Sequence, residues 1–534
     1  MPARVRPTRP PAAPCARRRP LPGRIAALAL AAACLAAQAA PPDASELAGR
    51  RLYRDGITAA GSPVQALVGP GAARVSGAAV ACANCHGRDG LGRPEAGLAP
   101  PALRWAELSR PHGHVHGDGR RHPPFTTQTL ERALTRGIDP AGRPLDPAMP
   151  RFLLAREDLA NLVAYLKRLD GERDPGIAED RLRIGTLLPA TGPLAAAARA
   201  VRQVLEAGFD ELNRAGGLHG RRLELVVSDA QPQAGLERLF EQDVLALLSP
   251  LGAGLDEALA ALAEAREVPV IGPFAPGARP AAAAGRHTFR LFAGPLEQAR
   301  VLAAFSARLE KPPHAGAALL LPADAGARAV AQAIAEECAA LGCGEIERSE
   351  YAPGRFDAAA AVQALRERGR GPVFFLGGNE ELAAFVREAA RAAWHPPLLL
   401  PGLAAARAAA EAPAGFDGRI FLAVPHLPAD AAAPSGGFDA LRRRHGIGEA
   451  QLGAQISAYA SVQLLAEGLR RSGRALSREK LLAALESVHG LPTGVGPPLS
   501  YGPQRRIGSQ GGFVVALDAA QRGFRPASDW IALE

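Results

Sequence analysis

Two cysteines and a histidine make up the stretch Cys82-Ala83-Asn84-Cys85-His86, and the fold of the first part of the chain depends on it. Two thiols on one short turn can each form a thioether with a vinyl group of haem, and the histidine that follows can then bind the iron. The stretch therefore predicts one covalently bound haem c, attached through Cys82 and Cys85, with His86 as an axial ligand.

A bare pair of cysteines at this spacing is also compatible with a redox disulfide or with half of a zinc site. A zinc site would need two further ligands at similar spacing, and no second cysteine pair of this kind follows. A thioredoxin-like motif would lie between a strand and a helix, whereas small residues and glycines surround this one. Haem attachment is the interpretation that fits these surroundings best.

Met149 is the candidate for the second axial ligand, because the other methionine of the chain is Met1. It lies between prolines, after the cysteine motif and ahead of a helix predicted over 157–169. A thioether opposite a histidine raises the reduction potential of haem iron, which suits electron transfer. The alternative is a core methionine that fills an irregular gap.

Helices are predicted on both sides of these motifs. The segment 45–53 begins as an amphipathic helix, and 157–169 carries one apolar stripe at helical spacing. This order of helix, C-x-x-C-H, Met-Pro loop and terminal helix resembles a mono-haem class I cytochrome c over residues 43–170. The resemblance implies an all-α domain whose first and last helices cross, so that Gly49 or Tyr53 meets Leu162 or Tyr165. The haem ligands that it implies are Cys82, Cys85, His86 and Met149.

Residues 1–40 have the pattern of a secretory signal peptide. Arg17-Arg18-Arg19 is the charged part, 25–37 is an apolar run shorter than a membrane span, and Ala37-Gln38-Ala39 is a cleavage pattern. A retained anchor is the alternative, and lipid attachment at Cys34 is less favoured because the preceding leucine stands one position too early. We expect a periplasmic protein with no membrane span after cleavage, which agrees with haem attachment outside the cytoplasm.

The formal net charge of +9 does not indicate a nucleic-acid partner. Seven of the arginines lie in residues 1–42, which contain no acidic residue, and the rest of the chain is nearly balanced. No basic face that would bind a polyanion is left once this segment is set aside.

Two groups of reactive residue types leave alternatives open. Cys338 and Cys343 are close in the sequence, so that an exported chain could join them in a disulfide or keep two buried thiols. The stretch His112-Gly113-His114-Val115-His116, with Asp118 and His122 after it, could bind a divalent metal or form a glycine-rich solvent loop. His114 or His116 could also compete with Met149 for the iron. We favour the loop.

A charged segment with proline and glycine, 171–180, predicts a linker between two domains. After it, apolar strands alternate with helices, which indicates parallel sheets covered by helices. One series has strands expected at 182–188, 223–228, 244–248 and 268–271, and a second has strands expected at 317–321, 373–376, 398–400 and 420–424. Two such series predict two lobes.

Residues 181–534 resemble a type 1 periplasmic binding protein of the branched-chain amino-acid kind, the solute receptors of ABC importers. The resemblance is carried by Leu188-Pro189-Ala190-Thr191-Gly192-Pro193-Leu194, by 211–225, by Phe289-Arg290 and by Tyr501-Gly502-Pro503-Gln504-Arg505-Arg506. It implies two doubly wound α/β lobes that close on a small ligand about a hinge. The chain is thus expected to be a multi-domain fusion of a cytochrome c with a two-lobed binding domain.

The ligand-binding residues that this resemblance implies are replaced in this chain. The loop Ser249-Pro250-Leu251-Gly252-Ala253-Gly254 has small residues where a serine pair is expected, Phe274-Ala275-Pro276-Gly277 lacks a threonine, and Pro295 stands where an acid should be. Because an amino-acid zwitterion would be poorly paired there, we expect an apolar or weakly polar ligand, or none. Candidate lining residues are Ser249, Phe274 and Tyr459, each of which could equally be core packing.

No catalytic constellation stands out, so we expect an electron carrier and binding protein rather than an enzyme. The leading hypothesis is single-electron transfer that serves a periplasmic oxidation system, with a quinoprotein alcohol dehydrogenase as a partner suggested by resemblance. One alternative is an ABC-importer solute receptor with an appended haem redox sensor. Another is a haem enzyme, which would need an open sixth position on the iron.

Overall fold

The structure is a computed structural model that describes residues 42–92, 99–116, 119–229, 232–252, 254–274, 285–309, 316–342, 346–402, 405–427 and 436–533. These residues belong to two compact units, which divide between Glu172 and Arg173. The predicted signal peptide and Cys34 lie outside the described residues. Among the helices that the structure describes, none is both long and apolar enough to cross a bilayer.

The first unit is built from helices, to which two small sheets are added. Its α-helices are α1 (Ala44–Asp55), α2 (Cys82–His86), α3 (Trp105–Leu108), α4 (Thr127–Arg136) and α5 (Arg156–Leu169). Its strands are β1 (Gln65–Val68), β2 (Ala73–Ser76), β3 (His114–Val115), β4 (Arg121–His122) and β5 (Arg151–Leu153). One antiparallel sheet has the order β2-β1-β5, and β3 and β4 form a hairpin. The sequence predicted the two outer helices but neither sheet, because strands this short show no period-two pattern.

Both ends of helix α1 are capped, so that backbone groups at the ends have hydrogen-bond partners. Oδ1 of Asp43 accepts a hydrogen bond from the Glu46 amide at 2.8 Å, and Oε2 of Glu46 accepts one from the Asp43 amide at 2.9 Å. This reciprocal capping box fixes the first turn. The helix ends at Gly56, whose φ of 67° suits glycine at a left-handed cap.

Helices α1 and α5 cross, as the resemblance implied. A Cβ added at Gly49 would lie only 2.0 Å from the carbonyl oxygen of Asn161 and 2.8 Å from Cβ of Tyr165. The rings of Tyr53 and Tyr165 are 5.4 Å apart between centroids, and both side chains are buried. The expected contact of Gly49 and Tyr53 with Tyr165 is therefore confirmed.

The second unit alternates strands and helices. Its helices are α6 (Ala195–Arg214), α7 (Pro232–Glu241), α8 (Asp256–Arg266), α9 (Pro295–Ser306), α10 (Ala325–Leu341), α11 (Ala358–Glu367), α12 (Asn379–Arg391), α13 (Ala406–Ala410), α14 (Gly436–His445), α15 (Leu452–Ser472) and α16 (Arg478–Glu486). Its strands are β6 (Arg181–Leu187), β7 (Arg222–Ser228), β8 (Ala246–Leu248), β9 (Val270–Ile271), β10 (Thr288–Phe292), β11 (Ala317–Pro322), β12 (Ile346–Tyr351), β13 (Val373–Phe375), β14 (Leu398–Pro401), β15 (Ile420–Val424), β16 (Ile507–Ser509), β17 (Gly511–Asp518), β18 (Gly523–Pro526) and β19 (Ile531–Ala532).

These strands form two sheets, one in each lobe. The first is parallel, with the order β16-β10-β9-β8-β6-β7. The second has the order β12-β11-β13-β14-β15-β17-β18, with β19 also paired to β17, and it is parallel up to β15 and antiparallel beyond. The chain passes from one sheet to the other after β10, after β15 and between β16 and β17.

The two expected series of strands are both present, within a residue or two of their predicted bounds. The strands that the sequence did not predict are β10, β12 and β16 to β19. Strand β12 lies at the edge of its sheet and alternates charged with half-buried side chains, so it carries no apolar run. Charges on an edge strand discourage pairing with another chain.

Candidate haem site and binding lobes

The cysteine motif folds as one short helix. Helix α2 consists of Cys82 to His86, so the two cysteines stand about one turn apart on the same face. Cys82 is buried and Cys85 is exposed. Burial is the largest cause that raises the pKa of the Cys82 thiol, to about 12. The protonated thiol thus lies in the apolar core of the first unit, an environment that suits a thioether equally well.

The ring of His86 is oriented by one hydrogen bond. Its Nδ1 lies 2.9 Å from the carbonyl oxygen of Pro101, and the side chain is only 5% exposed. A carbonyl oxygen can only accept, so Nδ1 carries the proton and Nε2 holds the lone pair that a metal needs. Burial also lowers the pKa of His86, which keeps the imidazole neutral. These features fit an axial haem ligand.

Hydrogen bonds fix the turn after α2, and Gly92 lets this turn lie close to the segment that contains Pro101. The amide of Gly92 donates to the carbonyl oxygen of His86 at 2.9 Å, and the Tyr53 hydroxyl donates to the carbonyl oxygen of Gly87 at 2.7 Å. A Cβ added at Gly92 would lie 2.1 Å from the carbonyl oxygen of Pro100. Sequence reasoning missed Pro101 and this use of Gly92, since no local pattern shows which carbonyl will face the histidine.

Met149 packs, half-buried, against the same core cluster that contains Cys82 and Ala83. Its amide donates to the carbonyl oxygen of Asp146 at 3.0 Å, which closes a turn. The amide of Gly69 donates to the carbonyl oxygen of Pro147 at 3.1 Å and ties the same loop to the end of β1. The structure therefore brings the Met149 loop and helix α2 to one core.

The histidine-rich stretch forms the hairpin of β3 and β4. The rings of His114, His116 and His122 lie 4.7 to 5.8 Å apart between centroids, and His122 packs edge-on to Phe125. Asp118 lies outside the described residues. Among the residues that are described, no three histidine, cysteine, aspartate or glutamate side chains are placed to share a metal ion.

The structure describes only one of the two cysteines that could form a disulfide or remain as thiols. Cys338 is buried on α10, and Cys343 lies outside the described residues. Both alternatives from the sequence, a disulfide and two buried thiols, therefore stand untested.

In the first lobe, Ser249 and Phe274 lie on neighbouring loops. The Ser249 amide donates to the carbonyl oxygen of Ile271 at 2.8 Å, and the Phe274 amide donates to that of Pro250 at 3.0 Å. Ser249 has a φ of 45°, is 1% exposed, and its Oγ has no hydrogen-bond partner among the described residues. A strained residue with an unsatisfied hydroxyl is a feature of functional sites.

A small apolar cavity lies beside these loops. It encloses about 10 Å³, close to the least volume that holds one water molecule. It is lined by Leu187, Leu236, Pro250, Leu251, Gly252, Leu255, Leu259, Pro273 and Phe274. None of these side chains can pair with an ammonium or a carboxylate group.

Tyr459 lies on α15, where its ring is 5.2 Å from that of Phe438 between centroids. Burial raises the pKa of Tyr459, so the phenol is neutral. Its contacts with Phe438 and with Gly437 agree with a core-packing role.

The two-lobed fold and the haem-type motif define a class of binding protein joined to a cytochrome. The chain belongs to the periplasmic binding protein family, whose model matches residues 181–522. A cytochrome c model matches residues 73–170 and implies a covalently bound haem. Both assignments made from the sequence are thereby confirmed, and proteins of both families are typically periplasmic.

Similar proteins agree with the second assignment. The Leu/Ile/Val-binding protein BraC3 of Rhizobium johnstonii is 24% identical over 344 residues, which are 62% of this chain and 91% of that protein. A fatty acid ABC transporter substrate-binding protein from Thermomonospora curvata superimposes with a TM-score of 0.53 at 17% identity, covering 68% of this chain and 95% of its own. The leucine-binding protein LivK of Thermotoga maritima gives 0.52 at 17% identity, covering 66% and 98%. These structural likenesses establish the fold.

Proposed function

We propose that this chain is an exported single-electron carrier with one haem c, joined to a module that binds a small molecule. Cys82 and Cys85 would hold the haem covalently, and His86 and Met149 would be its axial ligands. The observation that carries the proposal is the hydrogen bond from Nδ1 of His86 to Pro101, because it leaves Nε2 as the ligand atom.

The haem would supply a one-electron couple, and the residues of the chain would set how it is used. With His86 and Met149 as its ligands, the haem would have no open position for a substrate, so the chain would carry electrons rather than catalyse a reaction. A methionine ligand also favours the potential range of electron-transfer cytochromes.

Export is part of the proposal. Residues 1–40 would be removed as a signal peptide, with lipid attachment at Cys34 the less favoured outcome, and the mature protein would lie in the periplasm. Covalent haem attachment of this type takes place outside the cytoplasm, which supports that location. One domain would comprise residues 43–170 and the other 181–534, with 171–180 as the linker.

The ligand of the binding module would be small and apolar or weakly polar. The support for this class of ligand is the sequence of the binding loops, because the adjoining cavity of about 10 Å³ has room for one water molecule rather than for a solute. At the start of α9, Pro295 stands where an acid was expected, and the nearby Glu297 is engaged, since its Oε2 accepts from the Gly294 amide at 2.8 Å. That carboxylate is therefore committed to capping its own helix.

We propose that the electrons come from oxidation of a small molecule by a periplasmic partner enzyme, such as a quinoprotein alcohol dehydrogenase. The test mixes the oxidised full-length protein with such an enzyme and its alcohol, and follows haem reduction by absorbance. Reduction at catalytic rates supports this partner, and its absence with an enzyme that reduces other cytochromes c excludes it.

The haem assignment has its own test. In a Cys82→Ala/Cys85→Ala variant, no haem should remain on the chain after denaturation, whereas the wild-type chain should retain it. A covalent haem spectrum in the denatured double variant would contradict the assignment. In Met149→Ala, the oxidised and reduced spectra should both change, and unaltered spectra would favour an enzyme with an open position instead.

The likeness to a Leu/Ile/Val-binding protein favours a second candidate function. In this alternative the chain is a solute receptor of an ABC importer, and the haem is an appended redox sensor. Tight binding of leucine, isoleucine or valine by the full-length protein, with equal affinity in the oxidised and reduced states, would support a receptor over the electron carrier.

A further inference from the structure

We propose that Arg151 is a positioning residue, which holds the Met149 loop in the conformation that keeps the thioether on the iron. This inference rests on the proposed ligation of the haem by Met149. Arg151 does not touch the haem in this role, since it acts through the backbone of the loop.

The guanidinium of Arg151 donates hydrogen bonds to three carbonyl groups of that loop. Nη1 donates to the carbonyl oxygen of Met149 itself. Nη2 donates to the carbonyl oxygen of Leu145 at 3.1 Å and to that of Asp146 at 3.3 Å. A guanidinium carries five donors in a rigid fork, so one side chain can bind several carbonyl groups at once. The segment from Leu145 to Met149 is thus folded around this cation.

Arg151 is itself held in place from two sides. It is the first residue of β5, and its Cα is paired with that of Leu67 on β1. Its side chain lies on Gly137, where an added Cβ would be only 1.8 Å from Nε. Gly137 ends helix α4, and the negative end of a helix dipole favours a cation there. A side chain at position 137 would displace the guanidinium.

The other hydrogen bonds of this loop within the described part of the chain involve backbone groups and Asp146. They are the turn bond from the Met149 amide to Asp146, the bond from the Gly69 amide to Pro147, the bond from the Leu145 amide to the carbonyl oxygen of Gly137 at 2.8 Å, and the bond from the Ala148 amide to Oδ1 of Asp146 at 2.8 Å. Without Arg151 the carbonyl of Met149 loses its charged donor. The loop would then release the thioether more readily, and an added ligand would compete for the iron with greater success.

The experiment measures that competition in the full-length oxidised protein by titration with imidazole. Loss of the methionine–iron charge-transfer band gives an apparent Kd. In Arg151→Gln this Kd should fall by roughly tenfold or more, since hydrogen bonds to charged groups contribute more than one factor of ten. Arg151→Lys keeps one charged donor group, so its imidazole Kd should lie between those of the wild type and Arg151→Gln.

Arg132→Gln is the matched control. Arg132 is also half-buried and its Nη2 also donates to a backbone carbonyl, that of Asp139 at 2.7 Å. Its loss should leave the imidazole Kd unchanged. Haem content per chain, measured after denaturation, should be equal in all variants, which shows that each one folded and was loaded.

A pair of glycine variants tests the same idea without touching Arg151. Gly137 and Gly142 have φ values of 65° and 84°, so alanine is strained at both. A Cβ at Gly142 meets nothing within 4 Å, whereas one at Gly137 meets the guanidinium. Gly137→Ala should lower the imidazole Kd like Arg151→Gln, and Gly142→Ala should not.

The Met149→Ala variant distinguishes a failure of the proposed haem ligation from a failure of the proposed role of Arg151. If its spectra equal those of the wild type, both the proposed ligation and the role of Arg151 are wrong. If Met149→Ala changes the spectra but Arg151→Gln and Gly137→Ala retain the wild-type Kd, only the role of Arg151 is wrong. An equal fall in Arg132→Gln would likewise overturn it, because the effect would not be specific to the loop.

Discussion

At the scale of single residues, backbone carbonyl groups determine what the functional side chains can do. Pro101 sets the tautomer of His86 by accepting from Nδ1 at 2.9 Å. The carboxylate of Glu297 caps its own helix by accepting a hydrogen bond from the Gly294 amide. The first contact decides which nitrogen of the imidazole can bind a metal, and the second uses the carboxylate within its own helix.

His426 provides a prediction about pH at this scale. Its ring lies 6.1 Å from that of Phe292 between centroids, its Nδ1 is 3.4 Å from the carbonyl oxygen of Leu427, and burial lowers its pKa below the ordinary 6.5. The unfolded chain therefore takes up a proton at higher pH than the folded one. Its contribution to stability should be complete above about pH 6.5 and should be lost as the pH falls through the lowered pKa.

Urea unfolding of the full-length protein at about pH 7.5 and about pH 5 measures this effect. His426→Gln should show a smaller loss of unfolding free energy between the two conditions than the wild type. His489 is exposed and is the matched control, so His489→Gln should behave like the wild type. An equal loss in both variants would contradict the prediction.

At the scale of elements, the first unit depends on the crossing of α1 and α5 at Gly49. Alanine within a helix is usually more stable than glycine, by about 1 kcal/mol. Here the sign should reverse, because the added methyl group meets the Asn161 carbonyl and Tyr165 and forces the helices apart. Overpacking of this kind costs about 1–3 kcal/mol.

Chemical denaturation followed by absorbance of the haem checks this prediction. Gly49→Ala should lower the free energy of unfolding of the first unit by about 1–3 kcal/mol. Gly71→Ala is the control, because a Cβ there meets nothing within 4 Å. Unchanged stability in Gly49→Ala would show that the two helices can separate at little cost.

At the scale of the whole molecule, a binding-protein fold and a cytochrome c domain share one chain, and the chemistry of the ligand can be tested. A ligand at about 100 times its Kd should raise the unfolding free energy of the binding unit by about 2.7 kcal/mol. Thermal shift with short-chain alcohols, fatty acids and leucine, on oxidised and reduced protein, measures this. Stabilisation by leucine alone would contradict an apolar ligand.

Much of the fold could be predicted from the sequence because its signals are local. The apolar stripe at 157–169 predicted the terminal helix, and the two series of apolar runs predicted eight of the parallel strands of the two lobes. The small strands of the first unit and the edge strand β12 could not be predicted. They are short or polar, and pairing with distant residues, rather than their own sequence, makes them strands.

The sequence by itself determined which residue types are available for haem attachment, that two families are joined in one chain, and which hydroxyl and acidic groups the binding loops lack. Only the tertiary structure decided that Pro101 faces His86, that Arg151 hydrogen-bonds to the carbonyl groups of the Met149 loop, and that the hydroxyl of Ser249 is buried with no hydrogen-bond partner among the described residues. The physical reason is that local spacing specifies helices, strands and motifs. The partner of a side chain depends instead on how segments distant in sequence pack together.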